Sequence, residues 1–259
     1  MTGDPTVFVT WYEPARRLSM PVARLVHHRA KSPGIYEFRY IRGAVEAAER
    51  GFQPFISFPF LHTIYRSREL FPLFANRVMP RTRPDYPEYI QALGLDSANA
   101  DPMAILARSG GKRETDCIEV VPSPEPDERG IRTTHFLLRG ARKVAGAEDR
   151  IAQLKPGERL FLMLDVQNET TPEAVALRTS DKHLLGYVPD FLVAEAARLI
   201  EVPMNVLVEQ VNLPPAPLHH RLLCRIEARW PAEIVPFQGE RFQPLEAQDA
   251  TVMQAGQAP

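Results

Sequence analysis

Proline is the residue that most limits how this chain can fold. It occupies 25 of the 259 positions and is spread along the whole sequence. Because proline lacks an amide hydrogen and has a fixed φ angle, it interrupts long helices. The sequence therefore predicts a mainly β protein with short helices, of the α+β class.

Short alternating or branched apolar segments predict strands in the first half of the chain. We predict strands at 5–12, 21–28, 35–41 and 116–121, and short helices at 43–50, 85–93 and 101–107. Asp101 is expected to cap the last helix, with Pro102 at its first position. The expected organisation is an α+β module at 1–121, a proline-rich linker at 122–130, a second module at 131–240 and a disordered tail at 241–259.

The second module contains a well-ordered succession of signals between Leu154 and Ile200. A turn is predicted at Lys155-Pro156-Gly157-Glu158 from its proline and glycine, and a strand is predicted after it at 160–164. Predicted strands at 174–177 and 184–188 follow, and Asp190 is expected to cap a helix that runs to Ile200. Further strands are predicted at 133–138 and 218–228.

This order of motifs resembles the HIRAN domain, a small β-barrel module found in bacterial proteins and fused to some DNA-repair helicases. The resemblance lies in the Pro156-Gly157-Glu158 turn, Asn168 in the next loop, the Ala174-Val175 strand, and Gly186-Tyr187-Val188-Pro189-Asp190 before a helix. It implies a HIRAN-like β-barrel over residues 131–240 and a role in binding nucleic acid.

HIRAN domains that bind DNA hold the 3′ end of a single strand, so the resemblance also implies a pocket. The family uses an Arg followed by two aromatic residues and an Asn-Pro-Tyr-Asp loop, which stack the terminal base and accept a hydrogen bond from the 3′-hydroxyl. Here the first motif falls at Arg139-Gly140-Ala141 and the second at Asn168-Glu169-Thr170-Thr171. Because both aromatics, the Tyr and the Asp are missing, we predict that the end pocket is degraded. The aromatic residues that can substitute are Phe136, Phe161 and Tyr187, each with a place in the barrel core as the alternative.

The first module is similar to the N-terminal subdomain of HipA-type toxin kinases. The similarity covers about residues 5–121 and lies in Tyr36–Tyr40, in Leu73–Pro80 with Arg83, and in Asp101–Gly111. Arg77-Val78-Met79 departs from the family's Leu-Leu pair, and no kinase core follows. The resemblance implies an antitoxin-like or regulatory role beside a partner kinase.

The formal net charge of −1 gives no overall attraction to nucleic acid, so any electrostatic footprint must be local. One cluster is formed by Arg132, Arg139, Arg142 and Lys143. A second contains Arg66, Arg68, Arg77, Arg81 and Arg83, interleaved with Tyr65, Phe71, Phe74 and Tyr86. Arginine with aromatics suits phosphate contact and base stacking; the alternative is a solvated basic face over a hydrophobic core, or a docking surface for an acidic protein.

No catalytic motif, cofactor motif or metal-ligand spacing is found in the sequence. Cys117 and Cys224 lie in apolar runs and are predicted to be buried free thiols. No signal peptide or membrane-spanning run is present, which predicts a cytoplasmic protein, and the preference for Arg over Lys indicates a bacterial source.

The favoured hypothesis is a non-catalytic protein, without cofactor, that binds single-stranded or end-containing DNA in DNA repair or genome defence. Its predicted contacts are Arg132, Arg139, Arg142, Lys143, Asn168 and Tyr187. The alternative is an interaction or antitoxin-like module that docks on a kinase or a helicase. The two differ in what they require, because only the first requires salt-dependent binding to oligonucleotides.

Overall fold

The computed structural model describes residues 3–15, 18–30, 32–98, 100–113, 115–123, 125–168, 174–193, 204–229, 237, 239–246 and 253–254. The chain forms two compact units, each drawn from more than one stretch of sequence. The first unit combines Met1–Pro80, Asp101–Ser123 and Pro236–Pro259, and the second combines Arg81–Ala100 and Pro124–Val235. The predicted domain limits, which give each module one continuous stretch, remain a prediction.

Strands make up most of the regular structure in the described residues. They are β1 (Thr6–Glu13), β2 (Leu18–His28), β3 (Ile35–Tyr40), β4 (Tyr65–Ser67), β5 (Ile118–Pro122), β6 (Ile131–Leu137), β7 (Arg159–Asp165), β8 (Ala174–Arg178), β9 (Leu184–Tyr187), β10 (Met204–Val211), β11 (Leu222–Arg229) and β12 (Met253–Gln254). The α-helices are α1 (Gly43–Ala48), α2 (Pro72–Ala75), α3 (Tyr86–Ala92), α4 (Pro102–Ser109) and α5 (Ala147–Gln153). The predicted class, mainly β with short helices, is confirmed.

The first unit is built on a six-stranded sheet in the order β12-β4-β3-β2-β1-β5. Its core is aromatic: Phe38 and Tyr40 of β3 are fully buried, and the Phe38 ring stacks on that of Phe58 with 3.8 Å between centroids. In α4, the Asp101 side chain accepts hydrogen bonds from the backbone N–H groups of Met103 and Ala104. The predicted cap of this helix is therefore confirmed.

The second unit contains a six-stranded sheet in the order β6-β11-β10-β7-β8-β9. The two edges of this sheet meet at one isolated antiparallel bridge, between Arg139 and Tyr187, rather than along a ladder. No closed barrel is found in the described residues, so the predicted β-barrel is not confirmed. Inside the predicted linker, the Asp127 side chain accepts hydrogen bonds from the N–H groups of Arg129 and Ile131 and so holds a tight turn.

Several elements differ from the sequence expectations. The strand predicted at 218–228 begins only at Leu222, because Leu218–His220 forms a 3-10 helix after Pro217. The helix predicted from Asp190 is described for residues 190–193, and its remainder lies outside the described residues. Cys117 is exposed, which corrects the prediction of a buried thiol, whereas Cys224 is buried as expected.

Part of the segment predicted as a disordered tail has defined structure. Glu240–Phe242 forms a 3-10 helix, and the ring of Phe242 packs edge-on against Phe8 of β1 at 5.1 Å. Pro244 forms an isolated bridge with Ile41. These contacts bury apolar surface that composition alone does not reveal, because the surrounding sequence is rich in polar residues and alanine.

Candidate nucleic-acid interface

The bridge between Arg139 and Tyr187 forms the centre of the candidate interface. The N–H of Arg139 donates to the Tyr187 carbonyl at 2.9 Å, and the N–H of Tyr187 donates to the Arg139 carbonyl at 2.8 Å. Gly186 permits this approach, because a Cβ at that position would lie 2.4 Å from the Arg139 carbonyl oxygen. The glycine of the Gly186–Asp190 motif is thus required by a backbone contact.

After Arg139 the chain turns through Gly140 into a 3-10 helix, Ala141–Lys143. Gly140 has a φ of 69°, in the left-handed region that favours glycine. A Cβ at Gly140 would lie 3.0 Å from Cδ2 of Tyr187. The Tyr187 ring therefore lies against Gly140, one of the positions where the resemblance leads us to expect an aromatic residue.

Arg142 and Lys143 of this 3-10 helix are both exposed. Neither side chain forms a hydrogen bond or ion pair with another residue in the part of the chain that the structure describes. Arg139, just before them, is only partly exposed and has contacts of its own. Two cations without a carboxylate partner lie close to the bridge, which is the arrangement that phosphate contact requires.

Asp165, Asn168 and Tyr187 form a hydrogen-bonded cluster that includes one partner of the bridge. The Tyr187 hydroxyl donates to Asp165 Oδ2 at 3.0 Å, and Asn168 Nδ2 donates to the same oxygen at 3.2 Å. These hydrogen bonds, with that from Asn168 the larger effect, hold the pKa of the Asp165 carboxyl below its ordinary value. Partial burial, and then the bond to Asp165, raise the pKa of the Tyr187 hydroxyl.

The sequence did not point to Asp165, because the resemblance places the family's carboxylate within the Asn168–Thr171 loop, where it is missing. Glu169, Thr170 and Thr171 lie outside the described residues. The carboxylate that the structure places beside Tyr187 instead comes from the last residue of β7. The position of Asp165, three residues before Asn168, was the only signal in the sequence that could have indicated its role. Its contact with Tyr187 could not be predicted, because that contact depends on the register of the strands.

Arg132 lies apart from the other predicted contacts. It pairs with Ala228 in the β6–β11 ladder, seven residues before Arg139. At a rise of about 3.3 Å per residue, that is roughly 23 Å along an extended strand. Burial lowers the pKa of its guanidinium, while the nearby Glu125 acts in the opposite direction. The structure thus brings together Arg139, Arg142, Lys143, Asn168 and Tyr187 and leaves Arg132 at the other end of the strand.

The other two candidate aromatics have different surroundings. Phe136 is 2% exposed and belongs to the core of the second unit. Phe161 is only partly buried, and the guanidinium carbons of Arg159 and Arg178 lie 5.4 Å and 4.9 Å from its ring centroid. Phe136 is therefore a core residue, whereas the partly buried ring of Phe161 is covered by two guanidinium groups.

His220 is a further titratable group near Arg139. Burial is the main cause that lowers its pKa, to about 4, and the charges of His219 and Arg139 add to the effect. The rings of His219 and His220 are 4.3 Å apart in the 3-10 helix Leu218–His220, which precedes β11.

The second basic cluster is largely held in structural contacts. Arg77 donates to the Gly111 carbonyl and to both carboxylate oxygens of Asp116. Arg66 is paired with Glu37, Arg83 with Asp85, and Arg81 donates to the Ala100 carbonyl. The interleaved aromatics Tyr65, Phe71, Phe74 and Tyr86 are buried. These contacts favour the structural interpretation of this cluster.

Two other kinds of feature are absent from the described residues. They contain no group of three or more His, Cys, Asp or Glu side chains placed to hold a metal ion. Among the same residues, no helix has the length and apolar character needed to cross a membrane.

Comparisons with known proteins place a family within the second unit. Residues 134–231 match the model of the HIRAN domain family. Among solved structures, a crystal structure of a protein from Lactobacillus plantarum matches with 16% identity and a TM-score of 0.30, over 38% of this chain and 97% of that chain. The crystal structure of the HIRAN domain of human HLTF matches with 13% identity and a TM-score of 0.29, over 38% of this chain and 74% of that chain.

No curated protein matches the chain. The HipA-like resemblance of residues 5–121 is not confirmed by these comparisons. The family match spans the strands from β6 to β11, including the Arg139–Tyr187 bridge and the cluster around Asp165. Residues 134–231 of this chain form a HIRAN domain.

Proposed function

We propose that this protein binds single-stranded or end-containing DNA through the HIRAN domain and acts without catalysis in DNA repair or genome defence. The observation that carries the proposal is the pair of exposed, unpaired cations Arg142 and Lys143 beside the Arg139–Tyr187 bridge. The HIRAN domain itself supports binding to nucleic acid. The near-neutral chain has no overall attraction to DNA, so these local cations supply the phosphate contacts.

The cluster around Asp165 supports recognition of a strand end. A carboxylate has about four acceptor sites, and Asp165 uses three: for the Tyr187 hydroxyl, the Asn168 amide and the N–H of Gln167. One site is left for a donor such as a free 3′-hydroxyl. The lowered pKa keeps Asp165 ionised, and the Tyr187 ring beside Gly140 offers a face for a terminal base.

Phosphate contact is tested by reversing the two exposed charges. We expect Arg142→Glu with Lys143→Glu to weaken binding of a labelled single strand strongly, measured by fluorescence anisotropy. Losing two phosphate contacts lowers the slope of log affinity against log salt by about 1.4 for a single strand. The matched control is Arg50→Glu with Lys112→Glu in the first unit, since both are exposed, neither has a described side-chain partner and neither belongs to the basic clusters. Equal effects of the two double variants would reject the proposed interface.

End recognition is tested by comparing strands that differ only at the 3′ terminus. We expect tighter binding to a free 3′-hydroxyl than to a 3′-phosphate, because the phosphate adds negative charge beside Asp165 and removes the donor. Asp165→Asn should abolish this preference while the salt dependence is kept. A wild-type protein that binds both strands equally contradicts end recognition and leaves phosphate contact along the strand as the function.

A protein partner is the second candidate function, and the surface of the first unit favours it. Ile56 is 99% exposed and Phe60 is 50% exposed within one connecting segment. Exposed apolar residues close together are typical of interaction sites. The test is co-expression with a kinase or helicase encoded beside this chain: one complex on size-exclusion chromatography, lost with Ile56→Asp and Phe60→Asp, supports docking, and separate elution contradicts it.

A further inference from the structure

The two faces of the sheet in the first unit carry different kinds of side chain. One face forms the aromatic core, where Leu25 of β2 is directly opposed to Phe38 of β3. On the other face, one residue along each strand, Arg24 is directly opposed to Arg39. Directly opposed residues have their Cβ atoms about 4.5–5.5 Å apart, and like charges at such a pair are destabilising. The register of β2 and β3 therefore holds two guanidinium groups side by side against their mutual repulsion.

Neither of these arginines forms an ion pair within the described residues. Both are partly buried, and the Nε–H group of each is buried without an acceptor. Arg24 has no hydrogen-bond partner in the part of the chain that the structure describes, and Arg39 donates only from Nη2, to the Leu245 carbonyl at 3.1 Å. Burial, and then the charge of Arg24, lower the pKa of the Arg39 guanidinium. Because buried donors normally have a partner, the pair has N–H groups available for an acceptor from outside the chain.

The neighbouring charges leave this face positive. Glu37 lies on the same face of β3, and its Oε2 accepts a hydrogen bond from Arg66 Nε at 2.9 Å. His28 has one ring nitrogen 2.7 Å from Asp4, whose carboxylate offsets the charge of the ring when it is protonated. Across β2, β3 and β4, three guanidinium groups therefore share the carboxylate of Glu37, which leaves two positive charges on the described part of the face.

Aromatic side chains border the arginine pair on the side of β1. Phe8 is directly opposed to Arg24 in the β1–β2 ladder. The rings of Phe237 and Phe242 pack on that of Phe8, with 5.3 Å and 5.1 Å between centroids. Charges interact more strongly beside buried apolar groups than in bulk water. A small anion can therefore be held here by few contacts.

We propose that Arg24 and Arg39 bind the phosphate group of a small phosphate monoester on this face of the first unit. Each guanidinium can donate two parallel hydrogen bonds to phosphate oxygens. A monoester carries a charge of about −1.5 to −2 at neutral pH, which matches the two positive charges of the face, whereas a phosphodiester or a carboxylate carries one negative charge. The inference goes beyond the proposed function, because the site lies in the first unit and its ligand is a small molecule.

Arg24→Gln distinguishes this role from a structural one, because the sign of its effect depends on the ligand. Without phosphate, removal of one of two opposed like charges should raise the urea midpoint of the first unit. Phenyl phosphate should stabilise wild type, as a ligand of the folded state does, and should stabilise Arg24→Gln much less. Trp11 of β1, whose ring lies 5.7 Å from that of Phe52, reports this unit by fluorescence in a Trp230→Phe background. Destabilisation of Arg24→Gln both with and without phenyl phosphate contradicts the proposal.

Calorimetry then measures the affinity and the choice of ligand. Loss of a hydrogen bond to a charged group corresponds to about a 10- to 150-fold change, so we expect Arg24→Gln to weaken phenyl phosphate by this factor. Arg24→Lys keeps the charge and loses the planar fork, so it should retain part of the affinity. The control Arg50→Gln should bind as wild type does, since Arg50 is exposed and has no described partner. Equal binding of phenyl phosphate and methyl phenyl phosphate rejects the monoester, and no binding of either at millimolar concentration rejects the site.

Nucleic acid provides the last comparison. Arg142→Glu with Lys143→Glu should leave the affinity for phenyl phosphate unchanged, so that this site and the candidate interface can fail independently. A single strand with a 5′-phosphate should not displace phenyl phosphate from wild type. Displacement, together with weaker binding of that strand by Arg24→Gln, would make the end of a nucleic acid the ligand and would overturn the assignment to a small molecule.

Discussion

Replacing Gly186 by alanine tests whether the Arg139–Tyr187 bridge holds the candidate interface together. Gly186 has a φ of 154°, and a Cβ there would lie 2.4 Å from the Arg139 carbonyl oxygen and 3.0 Å from Leu138 Cγ. The unfavourable φ costs about 1–3 kcal/mol. Relief of the contact with a backbone atom breaks the two hydrogen bonds of the bridge, at about 0.5–1.5 kcal/mol each.

The expected decrease in the free energy of unfolding of the second unit is therefore about 2–6 kcal/mol, against about 5–15 kcal/mol for a whole domain. In a Cys117→Ser background, the reactivity of the buried Cys224 thiol reports the unfolding of this unit alone, because the exposed thiol of Cys117 is then absent. Burial raises the pKa of Cys224 and keeps it unreactive while the unit is folded. The assay is the fraction of Cys224 modified by a thiol reagent across a urea series.

Gly157→Ala is the matched control for the backbone cost. Gly157 also has a positive φ, of 84°, but a Cβ there would meet nothing within 4 Å. Only the conformational cost applies, about 1–2 kcal/mol. If Gly186→Ala destabilises the unit no more than Gly157→Ala, the close approach of the two strands does not contribute as argued, and the bridge is not what positions Arg139 and Tyr187.

Three further predictions concern single residues. The pKa of His220 in the folded protein, about 4, lies below its ordinary value of about 6.5. Because the unfolded chain binds a proton that the folded unit does not, the free energy of unfolding of the second unit should fall by about 1–3 kcal/mol as the pH falls from 7 to 4. Urea unfolding at the two pH values should show a smaller fall for His220→Gln. Tyr187→Phe removes a donor to Asp165 and should raise the pKa of that carboxyl in an NMR titration; an unchanged pKa contradicts the contact. Arg77→Gln removes the buried member of a pair whose other member, Asp116, is partly exposed, so the loss of stability of the first unit should stay below the figure of about 3–5 kcal/mol for a fully buried pair. Circular dichroism measures the loss, and oligonucleotide affinity should be unchanged; weaker binding in the folded variant would instead make the second basic cluster an interface.

Elements with a clear local signal were predictable from the sequence. The alternation at 5–12 and 21–28 corresponds to β1 and β2, and Asp101 with Pro102 marked the start of α4. Several elements without such signals were missed, among them α5 and β10. Gly146 precedes α5 and offers no side-chain cap, and β10 buries only Val206 and Val208 among polar and half-buried neighbours.

The candidate site was predictable only where its residues adjoin in sequence. Arg139, Arg142 and Lys143 are close in the chain, and their proximity in space follows directly. The pairing of Asp165 with Tyr187 does not, because it crosses β8 and depends on a register that one residue of slip would invert. The same holds for Phe161 and Arg178, which lie together only through the β7–β8 ladder.

The absence of a motif from the sequence does not show that its functional groups are absent from the site, because residues from other strands can supply them. Residue 140 is a glycine where the resemblance predicts an aromatic residue, and the ring of Tyr187 lies against it, with Cδ2 3.0 Å from where a Cβ would be. A larger side chain at 140 and the present position of Tyr187 exclude each other. The degraded end pocket thus remains a prediction about the Asn168–Thr171 loop. Tyr187 nevertheless supplies an aromatic ring and Asp165 a carboxylate, and the two side chains are hydrogen-bonded to each other. Binding of strands that end in a 3′-hydroxyl or in a 3′-phosphate decides whether the end pocket is degraded or is formed by Tyr187 and Asp165. A preference for the 3′-hydroxyl requires a carboxylate that accepts its hydrogen bond, so equal binding of the two strands favours the degraded pocket.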